Sequence, residues 1–207
     1  MTLPVTIRTA GDADLDAIWR VHRTAIEQTC ASRYGPDVIS AWVERLRPES
    51  YRGVVQRGIV VVAEDNGKAV GFGQLDVAAG EIQAVYVLPG AQGRGIGAAL
   101  LAHLEVLARA QGLANVTLHA TLNAEAFYGA HGWRTTGRDV RKITEQISLA
   151  CVAMEKSLAV VSSERVNLIS GEWHLSFALP VYPSYSLLTT RYSLLSRSYA
   201  PSSLNSW

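Results

Sequence analysis

The chain has 207 residues, enough for one domain with an extension. Hydrophobic residues make up 48% and charged residues 18%, which permits a sizeable core and excludes wholesale disorder. Its 19 basic and 18 acidic residues leave a formal net charge of +1, so composition gives no case for nucleic-acid binding. Two cysteines, Cys30 and Cys151, cannot staple a disulfide scaffold. The opening residues carry no apolar core of signal-peptide length, and no run approaches the roughly 18 apolar residues of a membrane span. A cytoplasmic protein with no membrane partner is the expectation.

In chain order, Thr6–Arg8 reads as a short strand. A helix then runs from Gly11-Asp12 to about Gln28, with Leu15, Ile18, Val21, His22, Ala25 and Ile26 on one stripe. A second helix is expected from Pro36 to Leu46, with Val38, Ala41, Trp42 and Leu46 facing inward. Ile59–Ala63 is a buried strand, Asn66-Gly67 a hairpin turn, and Ala69–Val77 the partner strand. Glu81–Leu88 follows as a strand whose strict alternation puts Glu81, Gln83, Val85 and Val87 on one face and Ile82, Ala84, Tyr86 and Leu88 on the other.

Arg94 to about Gln111 is the clearest helix, striped by Ile96, Leu100, Leu104 and Leu107 and stopped by Gly112. Val116–His119 is a short strand. Asn123 is placed as the cap of a brief helix through Ala130, and strands at Trp133–Val140 and Ile147–Lys156 close the body. The fold class is therefore a mixed α/β domain over residues 1–158. Residues 159–207 form a Ser- and Tyr-rich extension, with Tyr185, Tyr192 and Tyr199 spaced by seven; two repeats are too few for a coiled coil, and an irregular segment is expected. The alternative is a cover for a hydrophobic face of this chain or of a second copy in a homodimer.

The informative stretch is Gln92-Gly93-Arg94-Gly95-Ile96-Gly97-Ala98, between a strand and a long helix. Such a loop leaves the first helical N–H groups unpaired at the positive end of the helix dipole, a setting for a phosphate or diphosphate. Arg94 adds charge. A ligand-free glycine turn is the plain alternative. A dinucleotide site is a second: Gly93-x-Gly95-x-x-Ala98 fits that fingerprint, but the next strand, Val116 to Thr121, has no carboxylate to hold a ribose, and none follows it before Glu125.

The third reading is an acyl-coenzyme A. Gln92, Gly95 and Gly97 after a strand, followed by NAEAFYGAHGW from Asn123 to Trp133, resemble the GCN5-related N-acetyltransferase (GNAT) superfamily. The resemblance implies a central, mostly antiparallel sheet of about seven strands, with a splayed fourth and fifth strand and flanking helices. It implies acetyl-CoA as co-substrate, an amine acceptor and no metal. The diphosphate would rest on Gly93, Arg94, Gly95, Ile96, Gly97 and Ala98, with Gln92 opening the motif. The pantetheine arm would pair with Val85, Tyr86 and Val87, and Asn123 would bond it or cap its helix. The Val85 amide would face the thioester carbonyl, and Tyr128 would be the general acid, its phenol pKa of about 10 suiting donation to a thiolate.

Glu81 is the candidate base, although four residues of strand place it about 13 Å from Val85 and so call for a relay or a bent strand. Gln83, closer to Val85, would orient the amine or a water. Among the histidines only His119 stands beside the expected cleft. Tyr34 and Trp42 would wall the acceptor site, and Glu27, Glu44, Glu49 and Asp76 would attract a cation. Two rivals stay open: a non-catalytic acyl-CoA-binding module, and a structural protein whose Tyr-rich extension makes contacts.

Overall fold

The computed structural model describes residues 5–158, so the extension at 159–207 and His174 lie outside the described residues. The strands are β1 (Thr6–Thr9), β2 (Ile59–Asp65), β3 (Lys68–Asp76), β4 (Glu81–Val87), β5 (Asn115–Thr121), β6 (Arg134–Lys142) and β7 (Ser148–Ser157). The helices are α1 (Leu15–Gln28), α2 (Pro36–Glu44), α3 (Arg52–Arg57), α4 (Ile96–Ala110) and α5 (Glu125–Ala130). One seven-stranded sheet runs β1-β2-β3-β4-β5-β7-β6, antiparallel throughout except where β4 meets β5. No helix among the described residues is long and apolar enough to cross a membrane.

Helices cover the sheet on both sides, which is why β2 reads as an unbroken apolar run. Val61 and Ala63 pack with Leu100, Leu101 and Leu104 of α4, whereas Val60 and Val62 pack with Ile18 and Val21 of α1. α4 lies close on β3 because Gly73 has no side chain: a Cβ there would fall 2.8 Å from Leu104 Cδ1.

The sequence reading missed α3, whose apolar residues Val54 and Val55 are too few to show a period, and which follows a single 3-10 turn at Pro48–Tyr51. α2 ends at Glu44, and Val43 is its buried residue, while Trp42 and Leu46 are only partly covered. α4 starts at Ile96 rather than Arg94, since Gly95 before it takes φ +77°, outside the helical region.

β4 departs from strict alternation. Its register with β3 steps from Gln74↔Ala84 to Leu75↔Ile82, leaving Gln83 as the extra residue of a β-bulge. A bulge resets the side-chain phase. Ile82 accordingly packs on the α4 side together with Val85 and Val87, while Ala84 and Tyr86 pack on the α1 side. Glu81 and Val85, placed on one face by the sequence reading, stand on opposite faces.

A buried carboxylate and its lysine partner hold this frame. Glu105 of α4 takes both of its oxygens to Lys156 Nζ of β7, at 2.7 and 2.8 Å, and accepts the Trp133 indole N–H at 3.1 Å. Lys156 Nζ also donates to the His131 carbonyl. A buried pair of this kind is costly to break from one side, because the remaining charge has no water. Lys156→Met should lower unfolding free energy by about 3 kcal/mol in urea denaturation, and adding Glu105→Leu should recover most of that loss.

His22, on the α1 stripe, packs against Tyr86 with ring centroids 4.2 Å apart, and its Nδ1 lies 2.8 Å from the Tyr51 hydroxyl. Its Nε2 is buried without a partner, and desolvation pushes the ring pKa down to about 3. The folded state therefore keeps His22 neutral while the unfolded chain takes up a proton below about pH 6.5. The resulting stabilisation is complete above that pH and is lost as pH falls toward 3. Denaturant titrations should show the native chain losing about 2 kcal/mol more than His22→Phe between pH 7 and pH 5.

Candidate functional site

β4 and β5 run parallel but share one register pair, Glu81↔Thr117, beside the Thr117 N–H to Gly80 carbonyl bond of 2.9 Å. Beyond it the strands part. Leu88 N–H donates to the Val70 carbonyl at 2.8 Å, so the alternation of an antiparallel ladder turns the N–H and C=O of Val85 and Val87 away from β3 and toward that opening. Gln92 spans the mouth, its Nε2 donating to the Val87 carbonyl at 3.1 Å and to Thr29 Oγ1 of the α1 end at 3.0 Å.

The loop after β4 turns at Gly93 and Gly95, both at positive φ, and the first helical bond is Ala99 N–H to the Gly95 carbonyl. The N–H groups of Ile96, Gly97 and Ala98 precede it and have no helical acceptor. No acidic side chain occupies the first turn of α4. These features open on a cavity of about 510 Å³ lined by Val85, Tyr86, Val87, Gln92, Gly93, Gly95, Ile96, Gly97, Ala98, Asn123 and Phe127, together with Cys30 and Thr29. Arg94 is the loop residue that does not line it, because its guanidinium is bonded to Asp65 at 2.6 Å.

Asn123 does not cap α5: Ala124 holds that position and no side chain bonds there. Its Oδ1 is instead buried with no partner beside the cavity, an acceptor in want of a donor. Tyr128 lies in the core, its ring 5.1 Å from that of Phe127 and 6.0 Å from that of Trp133, and it lines neither cavity. Burial raises its phenol above the ordinary value.

A second cavity of about 390 Å³ adjoins the first, and Tyr86 and Thr121 line both. Glu81, Gln83, His119 and Trp42 line it, as do His22, Arg45, Arg141 and Lys142. Glu81 Oε1 lies 2.8 Å from His119 Nδ1 and 2.6 Å from Arg141 Nη2, and His119 Nε2 lies 3.0 Å from Asp139 Oδ2. Side-chain exposure rises along this chain, from 14% at Glu81 through 25% at His119 to 49% at Asp139.

The expected acceptor residues separate. Trp42 lines the second cavity; Tyr34 does not, because its hydroxyl donates to the Ala150 carbonyl and accepts the Leu122 N–H. Glu27 pairs with Arg23, Glu44 accepts from Ser40, and Asp76 accepts the Ala79 N–H. None of these carboxylates, nor Glu49, lines the cavity. Sequence reasoning passed over His22, Arg45, Asp139, Arg141 and Lys142. The one local signal was the alternation of Asp139 and Arg141 along β6; their approach to Glu81 depends on β7 lying between β5 and β6.

Comparison with known proteins follows this geometry. Residues 30–158 match the family model described as an acetyltransferase (GNAT) domain. A GCN5-related N-acetyltransferase from Rhodopseudomonas palustris superposes with a TM-score of 0.71 at 26% identity, over 76% of this chain and 98% of that one. The PaiA N-acetyltransferase of Thermoplasma acidophilum, solved with coenzyme A, gives 0.60 at 22% identity, over 75% and 99%. A GNAT-superfamily phosphinothricin acetyltransferase from Sinorhizobium meliloti, solved with acetyl-CoA, gives 0.59 at 21%, over 75% and 89%. None of the curated proteins compared matches this chain. The sheet that parts beside a glycine loop and the family match over more than half its length place this chain in the GNAT acetyltransferase family.

Proposed function

We propose that this protein transfers the acetyl group of acetyl-CoA directly to a primary amine, the acyl carrier lying in the first cavity and the amine in the second. The observation that carries this reading is that unpaired main-chain donors of β4 and α4 open on one cavity, and that Tyr86 and Thr121 join it to another lined by an acid–histidine network. Acetyl-CoA brings the acyl group as an activated thioester.

The amides from Gly93 to Ala98 hold the diphosphate, assisted by the helix dipole. Arg94 steadies the loop through Asp65. Asn123 Oδ1 accepts a donor from the pantetheine arm, which lies along Val85–Val87. Val85 N–H donates to the thioester oxygen as negative charge develops there, a fixed dipole that needs no reorganisation. Glu81 takes the proton that the amine sheds. Its Oε1 lies 2.8 Å from His119 Nδ1, on a ring whose Nε2 is held at 3.0 Å by Asp139. Tyr128 is assigned the return of a proton to the departing thiolate; because it lies behind Phe127 and lines neither cavity, the role requires the bound cofactor to open that contact, and burial, which keeps the phenol protonated, also makes it the weaker acid.

Direct transfer also agrees with the state of the cysteines. Cys30 lines the first cavity and Cys151 the second, but burial pushes the Cys30 thiol up to about 11 and raises Cys151 as well. Neither is primed as a thiolate nucleophile for an acyl-enzyme.

Calorimetry with acetyl-CoA tests the cofactor half. Gly95→Val should abolish measurable binding, since φ +77° is strained for a branched residue and its side chain would enter the cradle. Unaltered affinity in a folded variant would reassign the loop. Thiol-release kinetics test the acid. Tyr128→Phe should lower kcat about 100-fold at unchanged acetyl-CoA affinity, and Tyr86→Phe by less than about tenfold. The reverse order would transfer the role to Tyr86.

A further inference from the structure

We infer that the amine acceptor is a small molecule that also carries an acidic group, a carboxylate or similar oxyanion, within a few bonds of its nitrogen. The inference rests on the transferase reading and concerns its second cavity. Three cationic residues, Arg45, Arg141 and Lys142, line that cavity against one carboxylate, Glu81; Lys142, next to Arg141 on β6, lies at its rim with its side chain turned toward solvent. Arg141 is already bonded to Glu81 at 2.6 Å. Arg45 has no ion-pair partner among the described residues. Lys142 reaches only Glu145, at 3.9 Å with both side chains largely exposed, a pair of little strength.

Two cations are therefore left without a firm partner at the acceptor site. A polyamine or a basic peptide would bring further positive charge into this surplus and be disfavoured. An amine with its own acid group brings the missing counter-charge. The same surplus favours the uncharged form of the amine, which is the nucleophile. The cavity, about 390 Å³ with Trp42 in its wall, suits a small organic body.

The test is a thiol-release assay on the full chain with acetyl-CoA and three sets of acceptors, in parallel with calorimetry of acetyl-CoA. The sets are α-, β- and γ-amino acids with an aminoalkyl phosphonate, the neutral amides of the same amino acids, and aliphatic diamines. An acidic amine should be the best acceptor, with kcat/KM at least about tenfold above its amide and above any diamine. Arg45→Glu combined with Lys142→Glu should raise its KM about tenfold or more, erase the preference over the amide, and leave acetyl-CoA affinity unchanged. A diamine or amide that matches the acidic amine overturns the inference, as does a preference that survives the double reversal. So does tight acetyl-CoA binding with no acidic amine acetylated. A folded protein that does not bind acetyl-CoA sinks the transferase reading itself, and this inference with it.

Discussion

Past Thr117, β5 runs away from β4, and the sheet stops pairing in the middle of the molecule. Interior backbone groups require partners, and a parallel pair would have supplied them. The divergence leaves the main chain of Val85 and Val87 facing a gap. α4 begins beside it, with three amides that helix geometry cannot satisfy. Two sets of unpaired donors thus converge on one cavity, and no charged side chain is needed to make it attractive to an extended amide-bearing ligand with a diphosphate. The buried Asn123 carbonyl oxygen adds an acceptor to the same surface. Gln92 braces the opening by bonding the end of α1 and the end of β4 at once.

The bulge at Gln83 divides β4 into two uses. Its first half sends Glu81 toward the second cavity, and its second half sends Tyr86 to the same side while Val85 and Val87 pack under α4. An unbulged strand would have put Glu81 and Tyr86 on opposite faces. The same step keeps the Val85 main chain at the opening while its side chain is absorbed by the core. One inserted residue therefore places an acid, a phenol and a backbone donor around a single junction.

The two cavities differ in what supplies their polarity. The first is polar mainly through backbone groups, and the one nearby charge, Arg94, is answered by Asp65. The second is polar through side chains drawn from far along the chain: Glu81 on β4, His119 on β5 and Arg141 on β6, with Asp139 behind His119. β7 lies between β5 and β6 and sets the spacing that lets Arg141 reach Glu81. Around the junction, burial keeps the Tyr86 and Tyr128 phenols and the Cys30 thiol protonated and His22 neutral.

The sequence by itself determined what depends on local spacing. The strand–loop–helix unit around Gly93–Ala98, the α1 and α4 stripes, the Asn66-Gly67 hairpin and the Asn123–Trp133 segment all rest on neighbours in the chain, and from these the family and its sheet could be read. What failed to show lacked a local signal. α3 is too short to display a period, Glu105 sits between Leu104 and Ala108 as an apparent polar interruption, and its partner Lys156 is 51 residues away. Only the tertiary structure decided the phase of β4, since a bulge is defined by the opposing strand. It also decided which charges surround the acceptor, because Glu44 and Arg45 are adjacent in sequence and only Arg45 lines the cavity. Facing and distance between remote residues follow from strand order and register, and those are set by packing across the whole sheet.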